Sequence, residues 1–179
     1  VLFNVGKFFG IDLNLEFDFP SSISSSLLSS GIGKAGNIQI LTPSLLVNNG
    51  AQISSTSSGK GDAGNITINA SGNVNLTGFE GRNNLNSQVA SYVIRGGIGN
   101  GGDININAGN LLVKDGGSIS AYNSSKGNGG NIFLNVRDTI TFDGISGSGL
   151  PSNVSTLATN GDAGSISLKT GSLFLSNGG

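Results

Sequence analysis

The stretch GKGDAGNITIN, Gly59–Asn69, carries Gly59, Gly61 and Gly64 in the spacing G-x-G-x-x-G. In a dinucleotide-binding fold that spacing is wanted once, after a strand and before a helix. Here it recurs. Gly31, Gly33 and Gly36 repeat it, as do Gly97, Gly99 and Gly102, and reduced forms stand at Gly127/Gly130 and Gly161/Gly164. Each copy is followed by strand-like residues: GNIQIL, GNITIN, GDININ, GNIFLN and GSISLK. Glycines that repeat in front of strands predict a tight turn needing positive φ, not a phosphate cradle.

Alignment on the last glycine of each copy, Gly36, Gly64, Gly102, Gly130 and Gly164, exposes the repeat. Two residues on stand Ile38, Ile66, Ile104, Ile132 and Ile166; four residues on stand Ile40, Ile68, Ile106, Leu134 and Leu168. Mostly polar residues lie between them, so each copy alternates with period two. A second strand carries Leu45/Val47, Leu111/Val113 and Leu173/Leu175, with Val74/Leu76 and Ile140/Phe142 one residue later. A third carries Ile53 and Ile119 and is matched by Phe19–Ser25, Leu85–Ser91 and Leu150–Thr156. Self-similarity at this period predicts a solenoid.

The expected fold is all-β, a parallel β-helix of about six three-stranded coils. Strand spacing of ~4.8 Å per coil makes it a rod of ~30 Å. Glycine spacings of 28, 38, 28 and 34 alternate short coils with long ones. The chain reads as a single segment, 1–179: a partial first coil over 1–35 with a strand-like insert at 10–20, coils 36–63, 64–101, 102–129 and 130–163, and a partial last coil over 164–179. Ile38, Ile66, Ile104, Ile132 and Ile166 are expected in one buried column. Asn and Ser ladders are expected to satisfy one another at the turns. Surplus residues at 79–87 and 144–150 are expected to bulge from one face. Neither end shows an obvious polar cap, so a fragment of a longer repeat protein is expected.

Composition narrows function. Gly, Ser, Asn and Thr disfavour helix. Net charge is −1 with no basic stripe, which argues against nucleic acid as a partner. The absence of Cys and His removes disulfides, thiolate metal sites and the commonest general base. No stretch is apolar enough to span a bilayer, and VLFNVGKFFG is no signal peptide.

The runs GDAGNITINASGNVNLTG, GDININAGNLLVKDGGSISAYNSSKGNGGNI and FDGISGSGLPSNVSTLATNGDAGSI resemble the repeats of filamentous haemagglutinin-like exoproteins of the two-partner secretion family, especially the large cyanobacterial ones. The resemblance covers nearly the whole chain. It implies a right-handed β-helix, export through an outer-membrane partner, and a place on the cell surface or outside the cell. The family's secretion domain is not visible here, so the export route is inferred only from the resemblance.

Several features depart from the bare repeat. GIDLNLEFDFP sets Leu13, Leu15 and Phe17 against Asp12, Glu16 and Asp18. It reads as an extra strand with an acidic outer face, covering an open end or a partner's edge; a cation site is the alternative. GGIGNGGDI, Gly96–Ile104, approaches a calcium-roll nonapeptide, but Gly101 stands where Asp belongs and no nine-residue period exists. Asp138 and Asp143, with Arg137 beside them, flank the inward pair Ile140/Phe142; a solvated strand boundary explains them better than paired-carboxylate catalysis. Tyr92 and Tyr122 fall at equivalent sites on adjacent coils and face outward. They read as a stabilising ring ladder or as a platform for a sugar.

The functional expectation is a structural or adhesive stalk segment, extracellular or on the outer cell surface, with no catalytic, cofactor-binding or metal-binding residues and no cofactor. Expected partners are further coils of the same parent chain, end-to-end or edge self-association, and glycans or cell surfaces. A carbohydrate-binding module using the long-coil insertions and the Tyr92/Tyr122 face is the second expectation. A polysaccharide-active enzyme is the third.

Overall fold

The computed structural model describes residues 20–80 and 85–179. The strand-like insert at 10–20, with Leu13, Leu15 and Phe17, therefore lies outside the described residues except for Pro20. So do Val1 and Phe3.

The described chain is all-β. The third side of the first coil is β1 (Ser22–Leu27). The next coil holds β2 (Ile38–Thr42), β3 (Leu45–Asn48) and β4 (Gln52–Ser57). Then come β5 (Ile66–Ala70), β6 (Asn73–Thr77), the short strands β7 (Phe79–Glu80) and β8 (Leu85–Asn86), and β9 (Gln88–Val93). In the following coils the first two sides merge into one bent strand: β10 (Ile104–Lys114) leads to β11 (Ser118–Lys126), and β12 (Ile132–Asp143) to β13 (Asn153–Asn160). The last coil shows β14 (Ile166–Lys169) and β15 (Ser172–Ser176).

Equivalent strands of successive coils pair in parallel. One sheet runs β1-β4-β9-β11-β13; the other runs β14-β12-β10-β5-β2, with β3, β6 and β15 continuing it around the bend. Each sheet path has five strands, so the described residues form a parallel β-solenoid of about five turns, made of four full coils and the two partial ones at the ends. Of the first coil, expected over 1–35, the part from Pro20 on is described and supplies β1.

Register follows the alignment. Ile38, Ile66, Ile104, Ile132 and Ile166 pair in sequence, as do Ile23, Ile53, Val89, Ile119 and Val154 on the other sheet. Ile66, Ile104 and Ile132 are fully buried and Ile38 nearly so. Alternation turns every second side chain inward, and full burial of each contributes about 1.5–3 kcal/mol. Ile166 departs from the expected buried column: it is 40% exposed, because no described coil lies over it. The one-residue offset of Val74 and Ile140 is absorbed at the bend. There β10 and β12 shift register after Ala108, and Leu45, Val74, Leu111, Ile140 and Leu173 still align.

The turn glycines need correction in their reason. Positive φ belongs to the middle glycine of each motif: Gly33, Gly61, Gly99, Gly127 and Gly161, with φ from 127° to 158°. The last glycines, Gly36, Gly64, Gly102, Gly130 and Gly164, do not have it. They are required by stacking. A β-carbon on Gly102 would fall well inside van der Waals contact with the Gly64 carbonyl oxygen, and Gly130 and Gly164 stand in the same relation to the glycine one coil below. The repeated glycine is thus set by contact between coils.

Candidate functional site

With the core filled, any recognition must fall on the outer faces, the turns and the inserts. The turns are dominated by ladders along the rod axis. The residue after the last glycine is Asn37, Asn65, Asp103, Asn131 or Ser165. The side-chain oxygen of each of the first four accepts the backbone N–H of its successor, at 2.8, 2.8, 2.8 and 2.9 Å. Two residues before the glycine a second ladder runs from Asp62 through Asn100 and Asn128 to Asp162. Lys34 Nζ meets Asp62 Oδ2 at 2.9 Å in the same column. The Asn100 N–H first, then the Lys34 ammonium, holds the Asp62 carboxyl below its usual range.

Inside the turn, serines do work unforeseen in detail. Ser25, Ser55 and Ser91 lie in one inward column. Their hydroxyls accept the N–H of Gly36, Gly64 and Gly102 at 2.8, 2.8 and 3.0 Å. Ser91 also donates to the Gly64 carbonyl at 2.9 Å, tying two coils together. The serines of the expected Asn and Ser ladders are thus satisfied mainly by glycine backbone. Ala121 holds the equivalent place one coil on and has no hydroxyl.

The surplus residues emerge at the opposite turn. In short coils this corner is a two-residue turn with both φ positive: Asn49-Gly50 and Asp115-Gly116. In the long coils it opens after Gly78 and Gly144. One insert begins and ends with the antiparallel pair β7–β8; the other closes with an Ile145–Pro151 bridge and a Gly149 N–H bond to Ser146. Residues 81–84 of the first are outside the described part. Both re-enter the solenoid on a buried serine. Ser87 donates to Thr77 and accepts from Gly50 N–H; Ser152 donates to Asp143 and accepts from Gly116 N–H. The inserts therefore leave and return at equivalent points two coils apart.

Tyr92 and Tyr122 are register partners with ring centroids 5.1 Å apart and planes tilted by 33°. Thr56 flanks the pair on one side and Leu157 on the other. The faces a sugar would stack on are turned toward neighbouring rungs, which favours a stabilising role. Burial, then the neighbouring Tyr122, pushes the Tyr92 hydroxyl pKa up.

The charged candidates are engaged structurally. Asp138 accepts from Arg137 Nε and Nη2 at 3.1 and 2.8 Å, and that pairing lowers its pKa. Asp143 accepts from Ser176 and Asn177, which lower its pKa too. Asp103, in the calcium-roll look-alike, belongs to the asparagine ladder. Among the described residues no three His, Cys, Asp or Glu side chains gather as a metal site.

A groove of ≈ 740 Å³ follows the bend between the two sides of the larger sheet. Ala70, Ala108 and Val136 form its floor, Asn107, Asn135 and Lys169 one side, and Ser71, Gly109 and Arg137 the other. Sequence reasoning missed this groove. Its one available signal was the one-residue offset between alternate second strands, which falls at this bend. Comparison with family models, with curated proteins and with solved structures finds no match to this chain.

Proposed function

We propose that this chain is a non-catalytic, structural or adhesive stalk segment of a large exoprotein, outside the cell or on its outer surface. The observation that carries the reading is axial continuity. Core columns, glycine stacks and two side-chain ladders run from coil to coil with the same donors and acceptors. Each coil buries its apolar face only against its neighbours, so such a rod lengthens by adding coils. At the last described coil Ile166 and Leu173 are 40% and 44% exposed. Further coils of the same parent chain, or end-to-end association, would cover that face. The resemblance to filamentous haemagglutinin-like repeats supports export through an outer-membrane partner and a surface location. Asp62 and Asp103 sit in the turn ladders, Asp138 in an ion pair with Arg137, and Asp143 accepts from Ser176 and Asn177.

Two measurements test this. Antibody raised against the chain should label intact producing cells as strongly as permeabilised ones; labelling only after permeabilisation would sink the location. Beads coated with the chain should be retained on those cells above albumin-coated beads. Equal retention would remove adhesion from the reading.

A further inference from the structure

We propose that the bend groove is a binding site for an acidic glycan, a linear sugar chain bearing carboxylates, laid along the rod axis. Such binding does not depend on where the protein resides. The groove crosses four coils, from Ala70 and Ser71 through Asn107–Gly109 and Asn135–Arg137 to Lys169. One side is an asparagine ladder: Asn107 Nδ2 donates to Asn69 Oδ1 at 2.7 Å, and Asn135 Nδ2 to Asn107 Oδ1 at 3.2 Å. An amide has two N–H donors and two carbonyl lone pairs, and the ladder uses one of each. Every rung therefore keeps a donor and an acceptor for outside partners, repeated at the ~4.8 Å strand spacing. A chain of vicinal hydroxyls matches such a row.

Charge selects the kind of sugar. Lys169 is the register partner of Asn135 and continues the ladder as a cation. Across the groove, Arg137 lies over Gly109, where a β-carbon would stand 3.0 Å from its Nη2. The missing side chain leaves the guanidinium room beside the groove. Asp138 takes Nε and one Nη2 hydrogen, and the remaining N–H groups are not used by it. Two cations against one carboxylate leave the far end of the groove positive on a chain whose net charge is −1. The lining holds no aromatic ring, so the stacking that single-stranded nucleic acid needs is missing.

The test is calorimetric titration of the folded chain with a uronic acid hexamer, a neutral glucan hexamer and a thymidine oligonucleotide. The uronate should bind at least tenfold more tightly than the neutral hexamer or the oligonucleotide. Arg137→Ala and Lys169→Ala should each weaken it at least fivefold. Ser71→Tyr, which fills the groove from an exposed position and leaves every charge in place, should do the same. Asp138→Asn should strengthen binding severalfold by releasing the guanidinium. Circular dichroism spectra like the native chain's would show that each variant is folded. Uronate binding that is absent, matched by the neutral sugar or the oligonucleotide, or unmoved in the folded groove variants would overturn the site.

Discussion

The two turns of the solenoid obey different rules. At the glycine turn the spacing of the last two motif glycines never changes, and each last glycine rests on the one below. At the opposite corner the short coils turn on Asn-Gly or Asp-Gly, while long coils insert several residues and re-enter on a serine. The contrast lies in where the backbone points. Glycine-turn residues face along the axis and touch the next coil, so added atoms push coils apart. Insert residues leave the stack sideways, and only a few of them, such as Ser146 against Gly116, pack back on it. A solenoid tolerates length where the chain leaves the stack and refuses volume within it.

The sharpest way to break this contrast is a methyl group on each side of it. Gly102→Ala puts a β-carbon onto the Gly64 carbonyl, a backbone atom that cannot rotate away. The expected cost is at or above the top of the ~1–3 kcal/mol range for overpacking. Gly147→Ala, in the second insert, meets nothing within 4 Å and should stay within about 0.5 kcal/mol of the native chain. Urea denaturation of both variants decides it, and equal costs would mean that stacking does not set the glycines.

A smaller effect sharpens the role of the serine column. Ser91→Ala leaves the buried Gly64 carbonyl and Gly102 N–H without their hydroxyl partner, at a cost of about 1–3 kcal/mol. Ala121→Ser restores a hydroxyl one coil on and should add up to about 1 kcal/mol. A destabilised Ala121→Ser chain would show that the column is limited by space, not by hydrogen bonding.

Replacing Asp143–Asn153 with the short-coil sequence Lys114–Ser118 should change stability by no more than about 1 kcal/mol, because loop length enters only logarithmically. The loss of the Ser152 bonds works against the shorter closure. Collapse of the fold on this graft would place the second insert inside the structural unit.

The smallest effect is electrostatic. The Asp62 pKa is lowered in the folded chain, so its charge adds stability above the ordinary carboxylate pKa. That contribution disappears as pH falls through the lower folded value. Asp62→Asn keeps an oxygen for the Asn100 N–H and removes only the charge. The difference between native chain and variant should be constant from pH 7 to about 5 and shrink below about 4. Melting temperatures across that range measure it, and a gap that widened toward acid would reverse the assignment.

The architecture was legible because each coil repeats one local rule. Ile38, Ile66, Ile104 and Ile132 follow their glycine by the same two residues, and alternation sends them inward wherever the coil sits. The corner that expels the inserts was readable from the alternating coil lengths. The ladder of Asn37, Asn65, Asp103 and Asn131 was visible as a column of short polar residues, but not its bonding. A side-chain oxygen reaching the N–H one coil away is separated from it by 28 to 38 positions.

What the amino acids determined alone was therefore periodic: strand order, inward faces, coil boundaries and the place of the insertions. The stacked coils decided what depends on neighbours. Only stacking shows that Gly61 needs its missing β-carbon as well as its φ, while Gly64 needs the missing β-carbon alone, although both read simply as turn glycines. Only the bend brings Arg137 over Gly109, opening a groove along the rod beside the Asn135–Lys169 pair that register already sets. Alternation along a strand is a short-range consequence of backbone geometry, legible in any few residues. Close approach between coils and the shape of a bend are fixed by atoms far apart in the chain, and no local pattern encodes them.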